Sequence, residues 1–397
     1  MRVRGEILGH DDVRDGEDPI DVVLATGGTG GHIYPALAVA RALGDRGYRY
    51  AVVGEQGGME ARLVPAAGVT FFGVRAGKWH RNRPDPRQAG RALIGLVDAV
   101  RLLRRLRPRI VVGFGGFASF PALAAARLLR IPVVLHESNV FPGRVTRWFA
   151  GYAEWVALGT PELAARLTRA RRTEAVGFPV REVVVDREVA RATLNLPPDA
   201  LVTLVMGGSQ GSKALNEAVP DAFAELSATD RHNLVVLHSS GPRWAETVRA
   251  ATEGVPNYHV VPFVDATLAW SAADLAITRA GISTLSEAAF YGVPLIMVPL
   301  PSAADDHQSH NARAVAAAGA GELLPEHDTA RLADVWTAWL RPDRLEDAAA
   351  RARTRSPAGA AAHFVALLEP LLVRPASSPT TTPSSPHRPP SRQQEQE

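Results

Sequence analysis

The sequence predicts an α/β protein made of two doubly wound parallel-sheet domains that face each other across a cleft. Short runs rich in Val, Ile and Leu alternate with longer helical stretches, which is typical of parallel strands covered on both faces. A strand runs into a glycine-rich turn at 27–31, and the same arrangement returns at 207–211. With 397 residues, the chain is long enough for two domains of about 150–200 residues each.

Each predicted strand is a short apolar run that ends at a polar or glycine-rich turn. The runs lie at 20–26, 50–54, 109–115, 131–137 and 155–159 in the first half, and at 201–208, 234–240, 259–263, 275–278 and 294–299 in the second. The proline-containing stretch at 177–181 is the natural junction, which places one domain at 19–180 and the other at 181–345. Because ligands of open α/β sheets bind at the carboxyl ends of the strands, we expect the site in the cleft.

The two ends of the chain lack the patterns of folded elements. Residues 1–18 are polar and without periodicity, and we interpret them as a flexible lead-in. Residues 375–397 are rich in Pro, Ser and Thr and contain almost no apolar side chains. Such a segment buries too little apolar surface to offset the entropy lost on ordering, so it is predicted to be a disordered tail.

Composition excludes several classes of protein. The chain has no cysteine, which rules out a disulfide framework, a cysteine zinc cluster and a thiol nucleophile. A formal net charge of only +3 argues against a nucleic-acid partner. The sequence contains no run of the roughly 18 apolar residues that a spanning helix needs, and its acidic N-terminus is unlike a signal peptide. The protein is therefore expected in the cytoplasm, at most touching a membrane surface.

The first glycine-rich turn, TGGTGGH at 26–32, combines backbone freedom with polar side chains. Glycine lets the backbone turn tightly, and the N–H groups of the helix that follows suit a phosphate. The spacing matches neither the dinucleotide fingerprint nor a P-loop, which disfavours a nicotinamide dehydrogenase. His32 closes the turn and is the candidate general base, while the alternative is a structural hydrogen bond at the helix start.

Two further turns carry hydroxyl groups at the start of a predicted helix. Ser209, in GGSQGS at 207–212, can donate to a phosphate oxygen, or it can be the helix N-cap. In RAGISTLSE at 279–287, the Ser and Thr hydroxyls offer the same chemistry, and Glu287 lies where a carboxylate can bind the vicinal hydroxyls of a ribose. The alternative for 284–287 is a helix capping box.

Polar side chains also follow two other strands. In HESN at 136–139, Asn139 either contacts a ligand or builds the turn. In DDHQSHN at 305–311, the amides and carboxylates suit the hydroxyls of a sugar. The spacing of the Asp and His residues in that segment matches no metal-site signature, so we predict no metal there.

Residues 87–109 predict a basic amphipathic helix. Leu93, Leu96, Val97, Val100 and Leu103 are predicted to form one apolar stripe, and arginines crowd the carboxyl end. The helix either covers the sheet with its other face solvated, or it attaches the protein to an anionic membrane surface at about 1 kcal/mol per basic residue.

Six segments together are more specific than any one of these turns. They are ATGGTGGHIYPALAVARAL, GFGGFASFPALAAARLLRIPVVLHESNVFPG, GFPVR, MGGSQGSKALNEAVP, RAGISTLSEAAFYGVPLIMVPLP and DDHQSHNA. In this order they resemble the MurG family, the UDP-N-acetylglucosamine–N-acetylmuramyl-(pentapeptide) pyrophosphoryl-undecaprenol N-acetylglucosamine transferases, over roughly residues 20–370. The resemblance implies a GT-B fold, that is, two Rossmann-like domains around a cleft, with a final helix at 346–374 that returns to the first domain.

The resemblance also implies an activity. It is the inverting transfer of N-acetylglucosamine from UDP-N-acetylglucosamine to the 4-hydroxyl of N-acetylmuramic acid in undecaprenyl-pyrophosphoryl-N-acetylmuramoyl-pentapeptide (lipid I), which gives lipid II. The expected location is the cytoplasmic face of the cell membrane, on its anionic surface. We expect neither a cofactor nor a metal, because helix N-termini can hold the diphosphate and the cleft strands lack an Asp-x-Asp pair.

Matched segment by segment, the resemblance implies a set of substrate contacts. Thr29, Gly30 and Gly31 would border the donor, Asn139 and Gln308 would contact its sugar, Arg181 and Val264 would lie near the uridine, Ser209 would meet the diphosphate, and Ile282, Ser283, Thr284, Leu285, Ser286 and Glu287 would hold diphosphate and ribose.

Departures from the family are small, and rival functions can be named. Ser138 stands where many members carry Gln, and Thr146 stands where many carry Asn. One rival is an isomerase on the same framework, such as a UDP-N-acetylglucosamine 2-epimerase, which would act on the donor alone. The remaining alternatives for its function are that of another GT-B glycosyltransferase and that of a non-catalytic binding protein.

Overall fold

The first half of the chain forms a parallel sheet. The computed structural model describes residues 7–8, 19–77, 86–208, 210–303, 306–356 and 358–373. The strands are β1 (Ile7–Leu8), β2 (Val22–Ala25), β3 (Tyr50–Glu55), β4 (Phe71–Val74), β5 (Ile110–Gly113), β6 (Val133–Glu137), β7 (Trp155–Leu158) and β8 (Thr173–Ala175). They pair in the order β1-β4-β3-β2-β5-β6-β7-β8, and every pair is parallel.

The second half repeats this architecture. Its strands are β9 (Leu201–Met206), β10 (Leu234–Ser239), β11 (Tyr258–Val261), β12 (Leu275–Thr278), β13 (Leu295–Met297) and β14 (Gly321–Leu323). The order is β11-β10-β9-β12-β13-β14, again with parallel pairs throughout. The predicted class, two doubly wound parallel sheets as in the GT-B fold, is therefore confirmed.

Helices cover both faces of each sheet, as parallel connections require. On the first sheet they are α1 (Gly30–Asp45), α2 (Glu60–Ala66), α3 (Pro86–Leu106), α4 (Phe120–Leu128) and α5 (Arg144–Phe149). Later in the chain come α6 (Arg187–Thr193), α7 (Lys213–Glu225), α8 (Ala228–Arg231), α9 (Ala245–Ala251), α10 (Ala266–Ala272), α11 (Ile282–Tyr291), α12 (His307–Ala317), α13 (Leu332–Trp339), α14 (Pro342–Arg353) and α15 (Ala360–Leu372). Among the described residues, we find no helix whose length and apolar content would let it cross a membrane.

Both sheets change direction at a defined point. In the first, the chain builds outward from β2 through β3 and β4, then returns to start again at β5 beside β2. In the second, β9 and β12 are the corresponding neighbours. The carboxyl ends of such strand pairs are where ligands bind in doubly wound sheets, and both glycine-rich turns lie there.

The chain crosses between the two sheets twice. The first crossing follows β8, at 176–186, and the second lies at 354–359, between α14 and α15. Helix α14 packs on α11 beside the second sheet, whereas α15 packs on α1 and buries Phe364 in the first core. The two crossing segments are tied together, because the Glu182 carboxylate accepts the N–H of Gly359, with its two oxygens at 2.8 and 2.9 Å.

The structure differs from the sequence predictions in two places near the ends of the chain. Ile7 and Leu8, within the predicted lead-in, pair with Phe71 and Phe72 as an edge strand. The rest of the lead-in and the predicted tail at 375–397 lie outside the described residues. The predicted final helix at 346–374 is two elements, the end of α14 and the whole of α15, separated by the second crossing.

The apolar stripe on α3 is buried only towards its carboxyl end. Leu103 is buried, but Leu93 is 65% exposed and Val97 is 43% exposed. The apolar core between the first sheet and α3 includes residues of this helix only from Leu96 onward. The apolar side chains at the start of α3 therefore face solvent.

Candidate active site

The candidate site is a cleft of about 1740 Å³ between the two sheets. The turns after β2 and β5 line it from the first domain. The turns after β9 and β12 and the start of α12 line it from the second. The cleft therefore lies where the topology of both sheets predicts a ligand.

The first glycine-rich turn places His32 at the start of α1. Gly27 and Gly28 have φ angles of +149° and +88°, the second of which strongly favours glycine. The carbonyl of Thr29, the N-cap residue, accepts the N–H groups of His32 and Ile33 at 3.1 and 3.2 Å. The hydroxyl of Thr29 lies 3.1 Å from His32 Nδ1.

The surroundings of His32 favour its neutral form. Burial lowers the pKa of His32, opposed first by the Glu137 carboxylate and then by a hydrogen bond to the Gly27 carbonyl. The ring packs against Gly115 and Gly116, where an added methyl group would lie 3.1 Å from an imidazole atom. A neutral, enclosed imidazole is able to accept a proton, which is the property that the candidate base needs.

Glu137 organises the turn after β6. It is only 3% exposed. One oxygen accepts the N–H groups of Ser138 and Asn139, both at 3.1 Å, and the Asn139 side-chain amide at 3.2 Å. The other accepts the N–H of Gly143 at 2.9 Å and the Thr146 hydroxyl at 2.6 Å. Thr146, where many family members carry Asn, thus serves here to hold this carboxylate.

Helix α11 points its amino terminus at the cleft. Its N-cap is Gly281, so the first N–H groups have no capping side chain from that residue. The capping-box alternative for 284–287 is wrong, because the helix already begins at Ile282. A methyl group added at Gly31 on α1 would lie 3.1 Å from Ile282 Cγ2. The amino-terminal turns of α1 and α11 therefore meet across the cleft, and their dipoles favour an anion between them.

Glu287 lies one turn further along α11 and faces the cleft. Trp270 Nε1 donates to Glu287 Oε2 at 3.0 Å, which fixes the carboxylate. Burial raises the pKa of Glu287 to about 7 and the Trp270 hydrogen bond opposes the rise. A carboxylate that lines the cleft and is fixed through one oxygen suits a pair of vicinal hydroxyls.

The turn after β6 contacts α12 across the cleft. Asn311, only 1% exposed, accepts the N–H of Val140 at 3.3 Å and donates to Asn139 Oδ1 at 3.4 Å. The rings of Phe141 and His310 stack with centroids 5.7 Å apart. On the same helix, Gln308 Oε1 accepts the N–H groups of Ala280 and Leu300, so its NH₂ group is the part left for a ligand.

Most of the expected site residues share this cleft. Those that line it are Thr29, Gly30, Gly31, His32, Asn139, Arg181, Val264, Ile282, Ser283, Thr284, Glu287 and Gln308. Leu285 and Ser286 are not among the lining residues, because the helical period buries both side chains on the far side of α11. Ser209 lies outside the described residues. Its alternative role as N-cap is wrong, since Ser212 occupies that position before α7.

Sequence reasoning missed several residues that shape the site. Glu60, Trp270 and Asn311 each hydrogen-bond a site segment from a different element: Glu60 bonds Gly28, Trp270 bonds Glu287 and Asn311 bonds Asn139. Asn311 lay within a polar run that was already marked, so that signal was available. Glu60 and Trp270 gave no such signal, because their partners are distant in sequence. Within the described residues, we find no group of three or more acidic or histidine side chains placed to hold a metal ion.

Two family models match this chain, one in each of its two sheet domains. The Glycosyltransferase family 28 N-terminal domain matches residues 22–158, and the Glycosyltransferase family 28 C-terminal domain matches residues 202–363. The junction between the two matches contains the first crossing segment.

Named relatives are similar over nearly the whole chain. A UDP-N-acetylglucosamine--N-acetylmuramyl-(pentapeptide) pyrophosphoryl-undecaprenol N-acetylglucosamine transferase of Deinococcus radiodurans is 44% identical over 402 residues, covering 92% of this chain and 99% of the relative. The Thermus thermophilus protein of the same name is 44% identical over 355 residues, covering 88% and 100%. The crystal structure of Acinetobacter baumannii MurG superposes with a TM-score of 0.72 at 31% identity, covering 89% of this chain and 100% of that one. With both domain models matched and these relatives aligned end to end, the chain belongs to the MurG family of UDP-N-acetylglucosamine transferases.

Proposed function

We infer that this chain transfers N-acetylglucosamine from UDP-N-acetylglucosamine to lipid I, which yields lipid II for peptidoglycan synthesis. The observation that carries the inference is the cleft, where two helix amino termini meet beside a carboxylate fixed by Trp270. This arrangement suits the diphosphate and the ribose of one UDP-sugar.

The donor lies mainly on the second domain. The amino terminus of α11 and Ser209 hold the diphosphate, Glu287 binds the ribose hydroxyls, and Arg181 and the backbone at Val264 border the uracil. Gln308 and Asn139 contact the sugar from opposite sides of the cleft, and Thr29, Gly30 and Gly31 border the donor from the first domain.

The reaction is an inverting displacement at the anomeric carbon. His32 takes the proton of the acceptor's 4-hydroxyl, while the oxygen attacks the carbon and the bond to the UDP phosphate breaks. Charge grows on the leaving diphosphate, and the two helix dipoles stabilise it without needing to reorient. Because these dipoles supply the stabilisation, we expect turnover to persist in excess EDTA; activity abolished by EDTA and restored by Mg²⁺ would contradict this.

We also propose that the first domain rests on the cytoplasmic face of the cell membrane. Leu93, Ile94 and Val97 on α3 are 65%, 44% and 43% exposed, and arginines flank them at 87, 91, 101 and 104. Ala92, next to Leu93, lines the cleft. An anionic surface that attracts this face would leave the lipid carrier in the bilayer while its sugar head enters the site.

One assay tests the activity. Radiolabelled UDP-N-acetylglucosamine is incubated with lipid I in detergent, and labelled UDP-glucose and UDP-N-acetylgalactosamine serve as control donors in separate reactions. We expect label in lipid II with the first donor alone. A second reaction without lipid I identifies an isomerase, which would convert the donor by itself; conversion there, with no labelled lipid in the first, would overturn the inference.

A further inference from the structure

Glu60 is a carboxylate buried directly behind the first glycine-rich turn. It opens helix α2 and is 0% exposed. One oxygen accepts the N–H of Gly28 at 3.2 Å, and the other accepts the N–H of Glu55 at 2.9 Å. The N–H of Gly28 is therefore committed to a group of the protein itself and not to a ligand.

Three glycines make room for this carboxylate. A methyl group added at Gly27 would lie 1.9 Å from Glu60 Oε1, and one at Gly58 would lie 2.5 Å from the same carboxylate. At Gly54 it would lie 2.7 Å from Glu60 Cγ. On its other side, the Gly27 carbonyl is so close to Gly116 that a methyl group there would approach it to 2.1 Å. The turn is thus held between Glu60 and the loop after β5.

This turn borders the ring of His32. The Thr26 hydroxyl donates to the His32 carbonyl at 2.7 Å, and a methyl group added at Gly116 would lie 2.1 Å from the Gly27 carbonyl oxygen and 3.1 Å from His32 Nδ1. The charged or titratable groups that act on the pKa of His32 are Glu137 on β6, His307 on α12 and Glu60 on α2. The Glu60 carboxylate thus reaches the imidazole in two ways, through the backbone that it fixes and through its charge.

We propose that Glu60 is a positioning residue of the transfer reaction, whose carboxylate fixes the turn at Gly27 and Gly28 and thereby holds the imidazole of His32. It does not touch the substrates. The proposal rests on the proposed function for the role of His32, but the position of the imidazole and its titration are measurable without any turnover.

The first test is Glu60→Gln in the full chain, followed by NMR titration of the histidine ring protons. His32→Ala identifies the His32 signal. Loss of the negative charge and of one acceptor should lower the pKa of His32. It should lower kcat by about tenfold or more, and change the KM for UDP-N-acetylglucosamine by less than about threefold. The acid limb of the kcat/KM profile should move to lower pH by the same amount.

Two neighbouring glycines provide a matched pair that also decides the question if Glu60→Gln does not fold. Gly58→Ala places a methyl group against the Glu60 carboxylate, whereas Gly57→Ala meets no described atom within 4 Å. We expect Gly58→Ala to shift the His32 titration and to lower kcat at least about threefold, with Gly57→Ala at wild-type values.

The proposal is overturned if His32 titrates as in the wild type in Glu60→Gln, or if Gly57→Ala and Gly58→Ala behave alike. It is also overturned if kcat holds while the donor KM rises more than about tenfold, since Glu60 would then serve donor binding. Failure of the proposed function would instead appear as absence of transfer by the wild type, with the His32 shift intact.

Discussion

Glu287 combines two demands that conflict. The proposed contact with the ribose hydroxyls needs an ionised carboxylate, yet the enclosed position of Glu287 raises its pKa to about 7 from an ordinary value of 4.5. The unfolded chain therefore loses this proton first, and the folded state is progressively destabilised as the pH rises between these values. Above pH 7 the penalty is complete, at roughly 3 kcal/mol.

Replacing Glu287 by Gln should separate these effects. Gln can still accept the Trp270 N–H but cannot ionise, so the melting temperature should rise relative to the wild type at pH 8 and change little at pH 5. The KM for UDP-N-acetylglucosamine should increase about tenfold or more at pH 8, with a smaller loss of kcat. Differential scanning fluorimetry and initial rates at both pH values measure this; an unchanged donor KM contradicts the ribose contact.

The wild-type enzyme should show the same group in its pH dependence. Its donor KM should fall as the pH rises from 6 to 8, because ionisation of Glu287 completes the acceptor, and Glu287→Gln should lose that dependence. A KM profile of equal slope in both proteins would assign the titration to another group.

His32 is tested by removal. Burial keeps the imidazole neutral, so His32→Ala should lower kcat by roughly 10²–10⁴ and leave donor binding nearly unchanged. Isothermal titration with UDP provides the binding control. A loss of turnover below about tenfold means that another group takes the proton.

At the scale of elements, the contact between α1 and α11 sets how closely the domains approach. Because a methyl group at Gly31 would lie 3.1 Å from Ile282, Gly31→Ala should push the two helices apart by a few tenths of an ångström. We expect its donor KM to rise at least about threefold. In the double variant Gly31→Ala/Ile282→Ala, the added methyl has room, so much of that rise should disappear; strictly additive effects would mean that the helices do not need this contact.

The strands and their turns were predictable from the sequence, since buried parallel strands are continuous apolar runs and glycine-rich turns mark their carboxyl ends. The positions of Asn139, Gln308 and Glu287 followed from the same rule together with the family resemblance. The role of Glu60 behind the first turn was not predictable, because acidic residues are common at helix amino termini, where they interact favourably with the helix dipole. The exposure of Leu93 and Val97 was not predictable for a different reason: periodicity identifies an apolar face but not how far along the helix the core extends.

At the scale of the molecule, the exposed apolar residues of α3 predict attachment to a bilayer. Replacing Leu93, Ile94 and Val97 together by Gln should weaken binding to vesicles of phosphatidylglycerol and phosphatidylcholine at least about tenfold, since each residue loses roughly 1 kcal/mol of apolar transfer. Transfer to lipid I in detergent should stay within about twofold of the wild type.

The second domain offers the control for this experiment. Val184 and Val189 are 69% and 55% exposed there, and replacing both by Gln changes surface hydropathy without touching α3. This variant should bind vesicles like the wild type in a sedimentation assay. Equal loss of binding in both variants would mean that attachment is not specific to α3.

The bond between Glu182 and Gly359 joins the only two chain segments that pass from one domain to the other among the described residues. Because the two connections meet at this bond, the domains share one place at which the backbone can bend between them. A domain rotation about that place would return the α11 amino terminus to the same position opposite His32. The position of the α11 amino terminus relative to His32 is in that sense set by the backbone connections between the domains.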